Sequence, residues 1–328
     1  MRNLASIRSW IVTDGKAGME SQCLGLAEAL GLSPEVKRIA PRAPWRWLPP
    51  QAWVGPLTAL SPKADRLLPP WPDLIIATGR QTVAPALAAK RASDGAIFLA
   101  QIQNPGVDPA RFDLVIAPEH DGLAGHKVLS TLGALTRVTP ARLAAGASAF
   151  QPMLTDLPRP LVAVLLGGPN KVYRMSEQLV ERLGEDLAGL VRRQGCGLAI
   201  SASRRTGAAA MARLRRHLRG LPAVFWEGET PNPYFGFLAL ADAILVTADS
   251  INMLSEAAST GKPVHVIDLE GGSAKFRRFH ERLSAVGAAR PFTGTIGDWR
   301  YQPLDETARA AAELARRLEA HRAARKLQ

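Results

Sequence analysis

The chain has 328 residues, 47% hydrophobic and 21% charged, which is ordinary for a soluble globular protein and long for a single hydrophobic core. Its net charge of +12 favours an anionic partner: a phosphorylated substrate, an acidic membrane face or nucleic acid. No apolar stretch approaches the roughly 20 residues of a transmembrane helix, which excludes a helical span.

In chain order, "MRNLASIRSWIVTDG" (1–15) meets arginine and then aspartate before any apolar core long enough for a signal peptide. Cys23 and Cys196 have no CxxC or metal-ligand spacing and read as small buried residues, so a cytoplasmic, reducing setting is expected. Strands are predicted over 7–13, 73–79, 96–102 and 113–118, with helices over 19–30 and 81–92 between them. The second half repeats the rhythm, with strands over 160–168, 197–203, 223–226, 243–248 and 263–269 and helices over 176–194, 207–220 and near 251–260. This alternation predicts an α/β fold of two doubly wound, Rossmann-like domains facing a cleft. The proline-punctuated "FQPMLTDLPRP" (150–160) is taken as the linker. The first domain is then 1–153 and the second 154–328, with a terminal helix from about 305 packing back on the first. Arginine-rich runs at 211–220 and 315–328 carry few aromatics, and no nucleic-acid-binding motif occurs, so nucleic acid is the weakest of the three partners. The same runs also read as solvated helix faces.

Ligands of such folds bind beyond the carboxyl ends of the strands, so the loops there are the candidates. "TDGKAG" (13–18) puts Asp14 at a strand end, among glycines that let a ligand approach or simply as a helix cap. It is not a P-loop, and no GxGxxG follows any strand. "ATGRQT" (77–82) and "APEHD" (117–121) end later strands; His120 in the second is an acid/base candidate or part of a surface turn. Asp-x-Asp occurs nowhere, and no histidine pair has metal-ligand spacing, so no metal is expected. In the second half "LLGGPNKVYRMSE" (165–177) supplies Gly167, Gly168, Asn170 and Lys171, with Ser176 as helix N-cap favouring an anion. Arg204 and Arg205 in "SASRRTG" (201–207) are two adjacent guanidiniums suited to a pyrophosphate. Glu256 stands past the first turn of a short helix after the "ADS" loop. There it can accept bonds from the vicinal hydroxyls of a ribose, or be an exposed helix glutamate.

Taken together, "VTDGKAG", "ATGR", "PEHD", "GGPNKVYRMS", "SRRT", "NPYFGFLALAD", "VTADSINMLSEA" and "KFRRFH" resemble the bacterial relatives of the elongated-mitochondria (mitochondrial fission) protein family of plants. The resemblance runs to about residue 307. It implies a GT-B-like fold and a glycosyltransferase activity. More loosely, 241–272 is similar to the donor-binding segment of GT-B enzymes such as the transferase that adds N-acetylglucosamine to the lipid-linked peptidoglycan precursor. That likeness implies a ribose contact for Glu256, places Asp249, Ser250, Ile251 and Asn252 near the sugar and diphosphate, and matches Gly167 and Gly168 to the loop opening the donor domain. The plant branch is associated instead with recruiting a dynamin-like protein.

The expected function is therefore metal-independent transfer from a nucleoside-diphosphate sugar to an acceptor, with Asp14 or His120 as base and no cofactor. A membrane-surface adaptor and a nucleotide-sugar epimerase are the alternatives. The segment 43–60 carries Trp45, Trp47 and Trp53 beside Arg42 and Arg46. It reads either as a loop packed on the first domain or as a dock on the anionic inner membrane that would present a lipid-linked acceptor.

Overall fold

The structure, a computed structural model, describes residues 7–228 and 230–326. Residues 1–6, which enter the reading of the N-terminus, and 327–328 of the basic tail lie outside them.

The first unit contains β1 (Ser9–Thr13), α1 (Ala17–Ala29), β2 (Glu35–Arg38), β3 (Leu74–Thr78), α2 (Arg80–Ala92), β4 (Phe98–Ile102), β5 (Leu114–Pro118) and β6 (Val128–Thr131). Its strands are all parallel, in the order β2-β1-β3-β4-β5-β6. Alternate residues feed two cores. Ile11, Leu74, Ile76 and Phe98 pack with Leu26 of α1, whereas Val12, Ile75, Ala77 and Leu99 pack with Val83 and Leu87 of α2. Burial on both faces is why these strands read as unbroken apolar runs.

The second unit runs α3 (Pro140–Leu154), β7 (Leu161–Leu166), β8 (Tyr173–Arg174), α4 (Glu177–Gln194), β9 (Gly197–Ala202), α5 (Ala208–His217) and β10 (Ala223–Trp226). It continues with α6 (Tyr234–Leu240), β11 (Ala243–Thr247), α7 (Ile251–Ala258), β12 (Val264–Ile267), β13 (Glu270–Gly271), α8 (Ala274–Ala285) and β14 (Ala289–Pro291). Its parallel sheet has the order β10-β9-β7-β11-β12-β14, and β8 with β13 forms a separate antiparallel ribbon. Finally α9 (Glu306–Lys326) packs on α1 and adds Ala310, Leu314 and Leu318 to the first unit's core.

The compact units are thus Met1–Arg137 with Asp305–Gln328, and Val138–Leu304. The boundary lies at 137/138, not at 153/154, because α3 belongs with α6. Gly146 and Gly236 meet so closely that a Cβ on Gly146 would lie 2.8 Å from the Gly236 nitrogen. The Arg142 guanidinium also sits 5.2 Å from the Phe235 ring centre. The stretch 150–160 is accordingly the end of α3 and the turn into β7, not a linker. Among the described residues no helix is long and apolar enough to cross a membrane.

Candidate functional site

In the second sheet the strand order turns between β7 and β11, and in open α/β sheets ligands bind beyond the carboxyl ends of the strands at such a turn. Gly167 and Gly168 follow β7. The Gly167 N–H donates to Thr247 Oγ1 at 2.7 Å and the Gly168 N–H to Asp249 Oδ2 at 3.1 Å. A Cβ on Gly167 would lie 2.2 Å from Asp249 Oδ1, and one on Gly168 2.3 Å from the Arg205 carbonyl oxygen. Only glycines fit this approach. Asp249, 4% exposed, also accepts from Thr247 Oγ1 at 2.7 Å and from Arg205 Nη2 at 2.7 Å. Arg205 Nη1 donates to the Gly168 carbonyl at 2.8 Å. Asp249 and Arg205 therefore buckle three loops together, while Arg204 is exposed on the same loop.

Asn170 shapes its own loop: its Oδ1 accepts from the N–H groups of Val172 and Tyr173 at 2.8 and 2.9 Å, leaving Lys171 exposed at the tip. Ser176 caps α4 by accepting from the Leu179 N–H at 3.2 Å. Its hydroxyl donates to Glu270, and Glu177 stands in the first turn. Two carboxylates there oppose the anion expected at this helix start. The start of α5 differs. Gly207 precedes it without a side-chain cap, no acid stands in its first turn, and Arg204 and Arg205 lie just upstream.

On α7, Ser250 accepts from the Met253 N–H at 3.3 Å, and Asn252 and Glu256 lie one turn apart on one face. Glu256 Oε2 accepts a hydrogen bond from the Tyr234 phenol at 2.6 Å. Burial, reinforced by the Glu256 charge, holds that phenol well above its ordinary pKa. In the sequence Tyr234 is distinguished only as part of "NPYFGFLALAD". Its signal was the Asn-Pro-Tyr start of a short helix, where Asn232 Oδ1 accepts the Tyr234 N–H at 2.9 Å.

Two neighbouring cavities, of about 330 and 380 Å³, open beyond the ends of β11, β12 and β14 and share Asp268, His280 and Glu281 in their walls. Arg290 lines one, and Tyr173 and Arg277 line the other. His280 Nε2 bonds the Ala248 carbonyl at 3.0 Å, and burial pushes its pKa down, so the ring is neutral near pH 7. These residues too were passed over in the sequence.

The first sheet turns between β1 and β3, and there Asp14 meets Gly79. Asp14 pairs with Lys16 and its side chain is 7% exposed. Gly79 has φ +87°, and a Cβ added to it would lie 3.2 Å from Met19 Sδ and 4.0 Å from Asp14 Oδ2. His120 is not brought to this point. It follows β5, with β3 and β4 intervening, is 4% exposed, and has Nε2 3.9 Å from Asp121 Oδ1. The tryptophans of 43–60 divide: Trp53 is buried, Trp45 donates to the Val54 carbonyl at 3.0 Å, and Trp47 is 63% exposed. Arg46 lies 4.4 Å from the Trp47 ring centre, and Arg80, directly after Gly79, donates to the Arg46 carbonyl at 3.4 Å. Among the described residues no group of three or more His, Cys, Asp or Glu is arranged to hold a metal ion.

The family described as Mitochondrial fission ELM1 matches residues 17–318. The mitochondrial fission protein ELM1 of Arabidopsis thaliana is 35% identical over 277 residues, 76% of this chain and 64% of that protein. The chain thus spans less than two thirds of that relative's length. An uncharacterized protein of Rickettsia prowazekii (strain Madrid E) is 29% identical over 279 residues, 73% of this chain and 78% of its own. Among solved structures, UDP-GlcNAc 2-epimerase from Methanocaldococcus jannaschii is similar with a TM-score of 0.53 at 13% identity, covering 94% of this chain and 91% of that one. Os79 from O. sativa is similar with a TM-score of 0.54 at 10% identity, covering 95% and 94%. These likenesses show a GT-B-like fold.

Proposed function

The chain belongs to the mitochondrial fission ELM1 family, and on that premise we propose that it is a metal-independent glycosyltransferase binding a nucleoside-diphosphate sugar on its second unit. The observation that carries this reading is the β7/β11 switch point, where side-chain-free Gly167 and Gly168 face the loop leading to Glu256. Glu256 receives the ribose hydroxyls. Arg204, Lys171 and the uncapped start of α5 receive the diphosphate, with Ser250 and Asn252 beside it. Arg205 and Asp249 hold the loops in place, and the cavities lined by Asp268 and His280 receive the sugar. Support also comes from solved structures of the same fold: the Neisseria meningitidis 2-epimerase, TM-score 0.52 at 12% identity, is bound to UDP-GlcNAc. The acceptor is assigned to the first unit, on the residues before Val138, with Asp14 favoured over His120 as base because it lies at the switch point of its own sheet. Trp47, Val54, Arg42 and Arg46 would dock an anionic membrane carrying a lipid-linked acceptor.

A non-catalytic membrane-surface adaptor is the second reading, favoured by the 35% identity to a mitochondrial fission protein. A thermal-shift series with UDP-, GDP-, ADP- and CMP-sugars, with and without EDTA, tests both. A sugar nucleotide at 100 times its Kd should add about 2.7 kcal/mol of stability, and the gain should survive chelation. No shift with any of them leaves the adaptor, and turnover without an acceptor points to an epimerase.

A further inference from the structure

Resting on the ribose assignment above, we propose that Tyr234 is the positioning residue of Glu256: its phenol O–H holds the carboxylate in the orientation that accepts ribose hydroxyls. The contact is direct, 2.6 Å from Tyr234 Oη to Glu256 Oε2, across 22 residues of sequence. A glutamate at an intermediate depth on a short helix has several rotamers, and fixing one before the ligand arrives removes part of the ordering cost of binding.

Tyr234 can fix it because Tyr234 is itself fixed. It is the first residue of α6, whose start is held by Asn232 accepting the Tyr234 N–H at 2.9 Å and by the Phe237 N–H donating to the Pro233 carbonyl at 2.8 Å. The far end is held by Lys262, whose Nζ donates to the Leu238 carbonyl at 2.8 Å and also to that of Ala239. Phe237 and Leu238 are wholly buried between these clamps, and the Phe235 ring meets Tyr234 edge-on at 5.7 Å. On the other side, α7 is anchored by buried Leu254, Ala257 and Ala258. The bond therefore joins two rigid short helices. Its direction is set by chemistry: the buried phenol keeps its proton beside an anionic neighbour, so it donates and the carboxylate accepts. A carboxylate has about four acceptor directions, so accepting from the phenol is compatible with accepting from vicinal hydroxyls.

A merely structural brace between α6 and α7 would change the affinity for every nucleotide alike. A positioning role changes it only for ligands that have the hydroxyls. The test is therefore a ratio, the calorimetric Kd of 2′,3′-dideoxy-UDP over that of UDP, measured on wild type, Tyr234→Phe and Glu256→Gln, each checked for an intact thermal transition. Wild type should prefer UDP by at least about tenfold, the scale of hydrogen bonds to a charged group. Y234F should weaken UDP by roughly threefold to tenfold while dideoxy-UDP stays within about twofold, and E256Q should abolish most of the preference. Tyr234→His, which keeps a ring N–H donor, gives a second variant and should retain more of the ratio than Y234F. If wild type prefers UDP and Y234F keeps the full ratio, the positioning role is wrong and the ribose assignment stands. Equal binding of the two nucleotides by wild type, or no binding of UDP, GDP or ADP, removes the ribose assignment and the positioning role with it.

Discussion

In the second unit the loops after β7 and β11 are tied across the switch point: Gly167 and Gly168 donate to Thr247 and Asp249, and Arg205 closes on Asp249 and the Gly168 carbonyl. In the first unit the loops after β1 and β3 meet at Asp14 and Gly79, and Asp14 bonds Lys16 within its own loop. Both sheets turn their strand order at these places, so topology alone does not distinguish them. The carboxylates do. Asp249 is enclosed and accepts from three donors, which makes it part of the frame. Asp14 has a solvated partner, since the Lys16 side chain is 67% exposed. A frame built before the ligand arrives suits a ligand bound in one way, whereas a carboxylate whose counter-ion stands in water suits proton transfer.

The largest expected effect breaks this contrast directly. Asp249→Ala orphans the Gly168 N–H and the Thr247 hydroxyl, two buried donors costing about 1–3 kcal/mol each, so the loss should be roughly 4 kcal/mol in urea unfolding. Asp14→Ala removes one partly solvated ion pair and should cost less than about 1 kcal/mol. Equal losses would mean that the two switch points are built alike.

Acid should also strike the second unit. His265 on β12 is 5% exposed, and burial lowers its pKa to about 4, with the Arg290 charge helping. Its Nε2 accepts the Gly297 N–H at 3.3 Å, a bond that a protonated ring cannot make. With the folded pKa below the unfolded value, the unfolded state takes up the proton first as pH falls. Stability should therefore be full above about pH 6.5 and decline towards pH 4, by on the order of 3 kcal/mol from this group. The decline should flatten in His265→Asn, measured by denaturant midpoints at each pH. An unchanged slope in that variant assigns the acid sensitivity elsewhere.

At the ligand, Glu256→Ala should weaken nucleotide-sugar binding at least tenfold, about 1.5–3 kcal/mol, while costing the fold only about 1 kcal/mol for the phenol left behind. The same change made at Asp14 should spare binding and reduce turnover. A calorimetric Kd unchanged in folded E256A would refute the ribose contact.

Which of these contrasts a sequence can display depends on how local their causes are. Central strands such as β3 and β7 are buried on both faces and announce themselves as apolar runs. Edge strand β2, "EVKR", carries no such signal, because its side chains are partly or wholly in water. α3 is rich in alanine with a proline near its end, and its partner α6 lies some 80 residues on, so neither the helix nor the unit boundary was legible. At the site, the glycine pair, the adjacent arginines and Glu256 stood out as residue types. That Arg205, though exposed like Arg204, is the one paired with Asp249 is invisible in "RR". It follows from Asp249 entering the space that Gly167 leaves open. Tyr234 was missed for the same reason: its meaning lies in a carboxylate on another helix.

The smallest expected effect sharpens the contrast at the first unit's edge. Three tryptophans in 43–60 looked equivalent in sequence, yet only Trp47 stands 63% exposed, with Val54 81% exposed in the same segment. Trp53 is 9% exposed in a small cluster with Ala59 and Ala84. Trp47→Ser should therefore leave the thermal midpoint nearly unchanged, whereas Trp53→Ser should cost about 3 kcal/mol or more through the cavity it leaves. If the segment docks a membrane, Trp47→Ser should lower flotation with anionic vesicles at low salt, and Arg42→Ser or Arg46→Ser should each cost about 1 kcal/mol of partitioning. Neutral vesicles should show little binding by any variant. Protein that stays off anionic vesicles, or a Trp47→Ser variant that floats as wild type does, removes the membrane from the acceptor side and makes a soluble acceptor the better reading, while the nucleotide site proposed for the second unit is untouched by either result.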